Sequence, residues 1–464
     1  MRHRVFRCLC PLALALVSSA LLAGEASEVR GAPDWLIDGV IYQINMRSFA
    51  PNGRLNEAAE RLPTLAKLGV SVVYLCPVFE ADDDPREEFW SPRQKRSGTG
   101  NPKNPYRMSD YFHVDPEYGT DADLKVFVDQ AHRLGLKVMF DLVYLHCGPS
   151  AKVLKEHPDF AQRDKEGNIV NAAWGFPKLD FGNPDLREYF WRNMEYWVRD
   201  FGVDGYRLDV SDGVPLDFWE EGRRRLDAIR PDIALLAEGT RKEDQFRAID
   251  IGYGFILSAA IGKVMDQGES AAVIRETCEK VLADWPNGFR FIRYTDNHDI
   301  SNDDYENRQE KRWGDAACRA LLTLCFTLDG VPMLYNGQEI AEDGRHSIFG
   351  IFPIDWSRAD TEQGRDRFAF VQSLARLRQA HPALRRGGIE WLDNGADEKV
   401  LSFLRAADEE TLLVLINLKN AEAQGEAAAP GTWENLFGDG SAAAAEGKVR
   451  FTLAPYGFAV FRRQ

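Results

Sequence analysis

Lys137-Val138-Met139-Phe140-Asp141-Leu142-Val143-Tyr144-Leu145-His146 decides how this chain is read: an apolar, strand-like run that breaks into polar side chains at its end. The same pattern recurs three times. Val203-Asp204-Gly205-Tyr206 leads into Arg207-Leu208-Asp209, Ile233-Ala234-Leu235-Leu236-Ala237 into Glu238-Gly239, and Phe289-Arg290-Phe291-Ile292 towards Asn297-His298-Asp299. Strand ends that converge from distant sequence positions are how a (β/α)8 barrel assembles an active site. Three carboxylates lie among these ends: Asp209, Glu238 and Asp299. They meet the needs of glycosidic-bond chemistry, which requires a nucleophile or base, a proton donor and charge stabilisation for an oxocarbenium-like transition state.

Working outward, strand and helix patterns alternate. Val40 to Ile44 reads as a first strand, Leu55 to Leu68 as a helix that Pro63 kinks or splits, and Val70 to Cys76 as a second strand. The second run is apolar without alternation, as expected of a parallel strand covered on both faces. Thr120 to Asp123 resembles a capping box that opens the next helix. Further units follow: a helix over 185–201, a strand to Val210, a helix over 216–229, a strand to Glu238, and a weaker unit around Tyr253 to Leu257 with a helix to Leu282. A strand over 290–295, a helix over 313–328, a strand over 331–335 and a helix over 365–379 complete eight units. Eight alternating units favour a closed barrel over an open sheet.

Two stretches break the alternation. Residues 146–184 interrupt the third unit and read as a small inserted subdomain, so the barrel spans 34–145 and 185–383. From 384 to 464 short strands separated by turns predict an antiparallel β-sandwich domain, with Ala442 to Ala445 as a loop. The stretch from Glu80 to Asp110 is long, polar and rich in Pro and Gly, and loops of that length are usually functional or disordered. Its Asp82-Asp83-Asp84 run reads as a solvated acidic loop, because its spacing lacks the alternation of a calcium loop.

The 464 residues suit a barrel of about 250 residues with additions. A net charge of −15 with no long basic run argues against nucleic acid and anionic membranes as partners and tolerates a neutral polymer. Arg2, Arg4 and Arg7 precede an apolar stretch from Leu9 to Leu22, followed by small residues. This pattern predicts a signal peptide over about residues 1–23 and a secreted or periplasmic protein. The five cysteines beyond it, 76, 147, 278, 318 and 325, have no zinc-type spacing and read mostly as small core residues.

Taken together, these segments resemble the α-amylase superfamily, glycoside hydrolase family 13, from Val40 to the C-terminus. Gly205 to Asp209 is similar to the family's nucleophile segment, Glu238 closes the segment that holds the acid/base, and Asn297-His298-Asp299 resembles that of the third carboxylate. Leu179 to Pro184 resembles the extra motif near the end of the inserted subdomain, and Tyr106 with Asp110-Tyr111 the tyrosine-bearing loop of the sugar subsite.

The resemblance implies a retaining hydrolase of α-glucans or maltooligosaccharides. Asp209 would attack the anomeric carbon, with Arg207 two residues earlier on the same strand face to keep it ionised. Glu238 would be acid and then base, Asp299 would bind sugar hydroxyls, His146 and His298 would donate to them, and Tyr106 would stack on the ring. Trp90, Trp174 and Phe176 are either further sugar platforms or local loop cores. A transglycosylase and a non-catalytic carbohydrate-binding relative are the alternatives. Two departures from the family pattern matter. Leu145 stands where many members carry a calcium-binding asparagine, so no metal and no other cofactor is expected. The Lys-His pair common near Asp212 and Gly213 is absent, which weakens a plain starch α-amylase assignment. No oligomeric state follows from the sequence.

Overall fold

Eight short parallel strands surround a side-chain-filled lumen: β1 (Ile41–Ile44), β2 (Val72–Leu75), β3 (Lys137–Leu142), β4 (Gly205–Leu208), β5 (Ala234–Ala237), β6 (Ile251–Gly252), β7 (Ile292–Arg293) and β8 (Val331–Tyr335). The computed structural model describes residues 29–301, 308–445 and 447–464, so the signal peptide read over 1–23 lies outside the described residues. The strands pair in the order β6-β5-β4-β3-β2-β1-β8-β7, and a parallel bridge between Gly252 and Phe291 joins the two ends into a ring.

The two-residue period of a strand sorts each side chain into lumen or helix layer. Ile41, Val72, Met139, Ala234, Leu236, Ile251, Ile292 and Val331 share one buried cluster inside the ring. Tyr42, Val73, Val138, Phe140, Tyr206 and Leu235 belong to the layer between strands and helices. Gly205 is small for a packing reason: a Cβ there would lie 2.6 Å from the Ala234 carbonyl and 3.2 Å from Met139. Continuing the period carries Asp141, Arg207, Asp209 and Glu238 to the lumen side at the C-terminal rim.

The helices begin where local chemistry satisfies their free N–H groups. The Thr120 hydroxyl accepts from Asp123 N, and the Asp123 carboxylate accepts from Thr120 N, a complete capping box for Asp121–Arg133. Asn183 caps Pro184–Phe201, and Thr361 caps Glu362–Ala380. Residues 55–68 form two helices rather than one, Leu55–Ala59 and Leu62–Leu68, with Pro63 in the first turn of the second, where its missing N–H costs nothing.

The chain then forms β9 (Gly388–Trp391), β10 (Val400–Ala407), β11 (Glu410–Asn417), β12 (Ala423–Ala427), β13 (Trp433–Gly438), β14 (Ser441–Ala445), β15 (Lys448–Leu453) and β16 (Phe458–Arg463). They make two antiparallel sheets, β13-β16-β11-β10-β9 and β12-β15-β14. On β11, Leu413 and Leu415 face the second sheet, whereas Leu412, Val414 and Ile416 pack on barrel residues that include Leu257, Leu321 and Leu324. A sheet buried on both faces explains why this strand reads as one continuous apolar run.

Several sequence expectations need correction. Ala442 to Ala445 is not a loop: it pairs with β15 along the whole of β14. The seventh strand is only two residues long, and Val210 lies beyond β4 in a left-handed conformation. The Asp82–Asp84 run is solvated only at Asp83. Asp82 and Asp84 are buried, accepting from Ser150 N and Ser150 Oγ respectively, with Arg107 against Asp82 and Arg86 on Asp84. The five described cysteines are buried free thiols. Among the described residues no helix is long and apolar enough to cross a membrane.

Candidate active site

Arg207 is the centre of the rim. Its side chain is fully buried, and Nη1 donates to Asp141 Oδ1 at 2.7 Å and to Asp209 Oδ1 at 2.8 Å. Nη2 lies 2.5 Å from Glu238 Oε1. One guanidinium thus contacts three carboxyl groups drawn from β3, β4 and β5, which is possible only because all three strands end at one level. Burial works against its charge, but Asp141, Glu238 and Asp209 together hold its pKa above the usual arginine value.

Burial is also the largest influence on Asp209 and Glu238, and it raises both carboxyls above the ordinary range while Arg207 opposes it. Two groups that share a cation this closely titrate as a pair. The last proton of the pair is therefore held to a higher pH than an isolated carboxyl would hold it. The residue after Asp209 completes the link. Val210 has φ 42° and ψ 49°, and from that turn its N–H donates to Glu238 Oε2 at 2.9 Å. A β-branched residue in the left-handed region costs about 1–3 kcal/mol, which the surrounding structure must offset.

Removing Arg207 should show what it neutralises. Arg207→Met would leave three buried carboxylates without a cation, a loss of about 3–5 kcal/mol at neutral pH. In that variant Asp209 and Glu238, whose carboxyls burial already raises, lose the cation that opposes the rise. Stability is then fully present below about pH 4 and is lost as pH rises. Urea denaturation at pH 4.5 and pH 7.5 checks this: the deficit relative to wild type should be larger at pH 7.5.

His298 is held by its neighbours in one tautomer. Gln43 Nε2 donates to Nδ1 at 2.9 Å, while Gln43 Oε1 accepts from the His298 backbone N–H at 3.1 Å. Nε2–H is therefore left to donate to Tyr106 Oη at 2.8 Å, and the Tyr106 O–H donates to Asp141 Oδ2 at 3.0 Å. Tyr74 also donates to that oxygen, at 2.7 Å. Burial pushes the His298 pKa down. His146 is buried as well and is lowered to about 4. Its Nε2–H donates to the Tyr106 carbonyl at 2.9 Å, and its Nδ1 has no protein partner.

Asp299 differs from the other two carboxylates. Its side chain is 40% exposed. Burial would raise its pKa, but His298 and Arg93 outweigh that and lower it to about 2. Arg93 Nη1 donates to Asp299 Oδ1 at 2.6 Å.

All seven residues read from the sequence, Tyr106, His146, Arg207, Asp209, Glu238, His298 and Asp299, meet at this rim, and all but the buried Arg207 line one cavity of about 170 Å³. Trp174, Phe176, Ile348 and Phe349 form its apolar walls. Trp174 and Phe176 pack on His146, with ring centroids 5.5 and 5.1 Å away, whereas Trp90 is not in the lining and reaches the Asp84 carbonyl. Sequence reading missed Gln43, Tyr74 and the hub role of Asp141. Each sits at a strand end after an apolar run, the one signal that was available. It also missed Arg93, which no pattern marks.

Two loop details set the chemistry beside the cavity. Asp212 does not face a ligand: its carboxylate accepts from Thr240 N at 2.7 Å and Arg241 N at 3.2 Å, bracing the turn after Glu238. Leu145 is buried in the apolar core, and its methyl carbons lie where a Cβ on Gly213 would meet them at 2.9 Å. A hard divalent cation requires oxygen donors, so the residues at this position do not fit the calcium that the family pattern implies.

Comparison with known proteins matches a family model described as the alpha amylase catalytic domain to residues 39–170 and 169–391, and one described as the maltogenic amylase C-terminal domain to 389–460. A cyclomaltodextrinase from Bacillus sp is 30% identical over 441 residues, covering 84% of this chain and 74% of that protein. An intracellular maltogenic amylase from Bacillus subtilis is 28% identical over 443 residues, covering 84% and 70%. Among solved structures, an alpha-amylase from Lactobacillus plantarum superposes with a TM-score of 0.78 at 25% identity, covering 93% of this chain and 100% of that one. A maltogenic alpha-amylase from Thermotoga neapolitana has the same fold, with a TM-score of 0.80 at 24% identity over 92% and 99%. The secreted or periplasmic location read from residues 1–23 is corrected by these relatives, two of which are named as intracellular enzymes. Matched from residue 39 to residue 460, with barrel and antiparallel domain in the matched order, the chain belongs to the α-amylase family of glycoside hydrolases.

Proposed function

We propose that the chain is a retaining glycosidase that cleaves α-glucosidic bonds in short α-glucans, with Asp209 as nucleophile and Glu238 as acid and base. The observation that carries this reading is the shared guanidinium of Arg207, which sets both carboxylates on one cavity. Asp209 attacks the anomeric carbon, Glu238 protonates the departing oxygen, and a water deprotonated by Glu238 then releases the sugar from Asp209. Asp299, ionised and half-exposed, accepts hydroxyls of the ring being cleaved, and His298 and His146 stand beside it. Tyr106 offers that ring a face.

A small cavity and the absent Lys-His pair support a preference for short chains. The cavity volume of about 170 Å³ is below the roughly 300–1,000 Å³ of a typical ligand pocket, although its mouth opens to solvent. Asp212 is committed to the turn after Glu238 and adds nothing on the leaving-group side. Maltotetraose should therefore have a higher kcat/KM per cleavable bond than soluble starch. The same reaction followed by proton NMR should show the α-anomer first. A β-anomer as first product would remove Asp209 from the nucleophile's role, and a preference for starch would remove the length restriction.

No divalent cation is assigned beside Leu145. Incubation with EDTA followed by thermal melting should leave Tm unchanged within about 1 °C, because a bound ligand contributes RT ln(1 + [L]/Kd) to stability only where a site exists.

A further inference from the structure

The wall of the cavity beyond Asp299 is built by a segment that bond cleavage itself does not need. Residues 80–110 follow β2 and carry a short helix, Pro92–Arg96. From it Arg93 donates Nη1 to Asp299 Oδ1 at 2.6 Å and Nη2 to the Asp299 carbonyl at 2.7 Å. The fold places this guanidinium firmly. Ser91 Oγ accepts from Gln94 N at 3.1 Å, capping the helix. Gln94 is buried and donates to the Asn101 and Pro102 carbonyls, each at 3.0 Å. Arg345, from the loop after β8, donates to the Ser97 carbonyl on the other side.

Glu238, as the proton donor, marks the side from which the leaving group departs. Arg93 touches neither Glu238 nor Asp209. It stands on Asp299 in the cavity lining, on the carboxylate proposed to hold the ring being cleaved. We infer that Arg93 is a specificity-determining residue that closes the Asp299 end of the cavity, so that the enzyme takes the non-reducing terminal ring of an α-glucan and not an internal one. The inference rests on the proposed roles of Asp209, Glu238 and Asp299. Arg93 occupies Oδ1 of Asp299, while Oδ2 lies 3.4 Å from His298 Nε2. The remaining N–H groups of Arg93 would be donors for the free hydroxyl of a terminal ring. With 37% of its side chain exposed, the guanidinium forms the cavity wall and is not part of the core.

The test compares maltoheptaose with β-cyclodextrin, seven glucose units with and without ends. Wild type should cleave maltoheptaose with a kcat/KM at least 100-fold above that for the ring. With a reducing-end label, its early products should be chains shortened from the unlabelled end. Arg93→Ala should lower that ratio at least tenfold and give short labelled fragments in the first samples. Arg93→Lys, which keeps a charge but loses the two-pronged contact, should fall between them. Equal cleavage of ring and chain by wild type, or an unchanged product pattern in a folded Arg93→Ala, overturns the inference and leaves the proposed function standing. If Arg93→Ala does not fold, the wild-type ratio and label pattern decide alone. Failure of wild type to hydrolyse maltoheptaose, maltotetraose and maltose overturns the proposed function and the inference with it.

Discussion

Asp209→Asn is expected to lower kcat/KM on maltotetraose by on the order of 10⁴- to 10⁶-fold while the protein stays folded, because residues that act as one chemical unit lose nearly all of the rate when one is removed. Asparagine keeps the shape of the side chain and an oxygen for Arg207 Nη1, but it cannot form the covalent bond to the anomeric carbon. Stability should not fall. Burial raises the Asp209 carboxyl, so its ionisation costs the folded state free energy as pH rises past the unfolded carboxylate pKa. A neutral isostere removes that cost, and Asp141 and Glu238 remain to pair with Arg207. Tm at pH 7 should therefore equal or exceed that of wild type. Residual activity within tenfold of wild type, in protein free of revertant, would rule out a covalent intermediate on Asp209.

Glu238→Gln should cost about 10²- to 10⁴-fold in kcat on an unactivated glucan, the usual share of general acid–base assistance. The size of the loss should depend on the leaving group. An aryl glucoside with an acidic phenol departs without a proton, so formation of the glycosyl-enzyme should be nearly unimpaired. Its hydrolysis, which needs the base, should become limiting and give a burst of phenol. The pH profile supplies a second readout. In wild type the pair that shares Arg207 must hold one proton for attack and protonation to coincide, so kcat/KM rises as the first proton leaves and falls as the second leaves. Burial raises the second ionisation, which places the alkaline limb above the ordinary glutamate range. The variant cannot ionise at this position and should lose that limb. An alkaline limb that survives Glu238→Gln would assign it to another group.

The barrel was legible because its strands are covered on both faces, so burial alone writes them as apolar runs, and because each run ends in residues that no core would hold unpaired. The lumen carboxylates and Arg207 follow from the same two-residue period: Arg207 and Asp209 share a face for the same reason that Met139 and Asp141 do. Where pairing with a distant strand overrides local preference, the sequence was silent. Ala442 to Ala445 has little β-propensity of its own, and only β15 beside it makes it a strand. The acidic run at Asp82 reads as solvated because nothing nearby in sequence shows that Arg107 and Ser150 will enclose it. Arg93 is the clearest case. It lies in a polar stretch with no periodicity, 206 residues before Asp299, and only the tertiary fold sets its guanidinium on that carboxylate. The sequence by itself determined the barrel, the order of its units and the residues able to do the chemistry, because those depend on burial and on period. The tertiary structure decided which charges meet, how far each pKa moves and where the cavity ends, because those depend on distances of a few ångströms between residues that the chain keeps far apart.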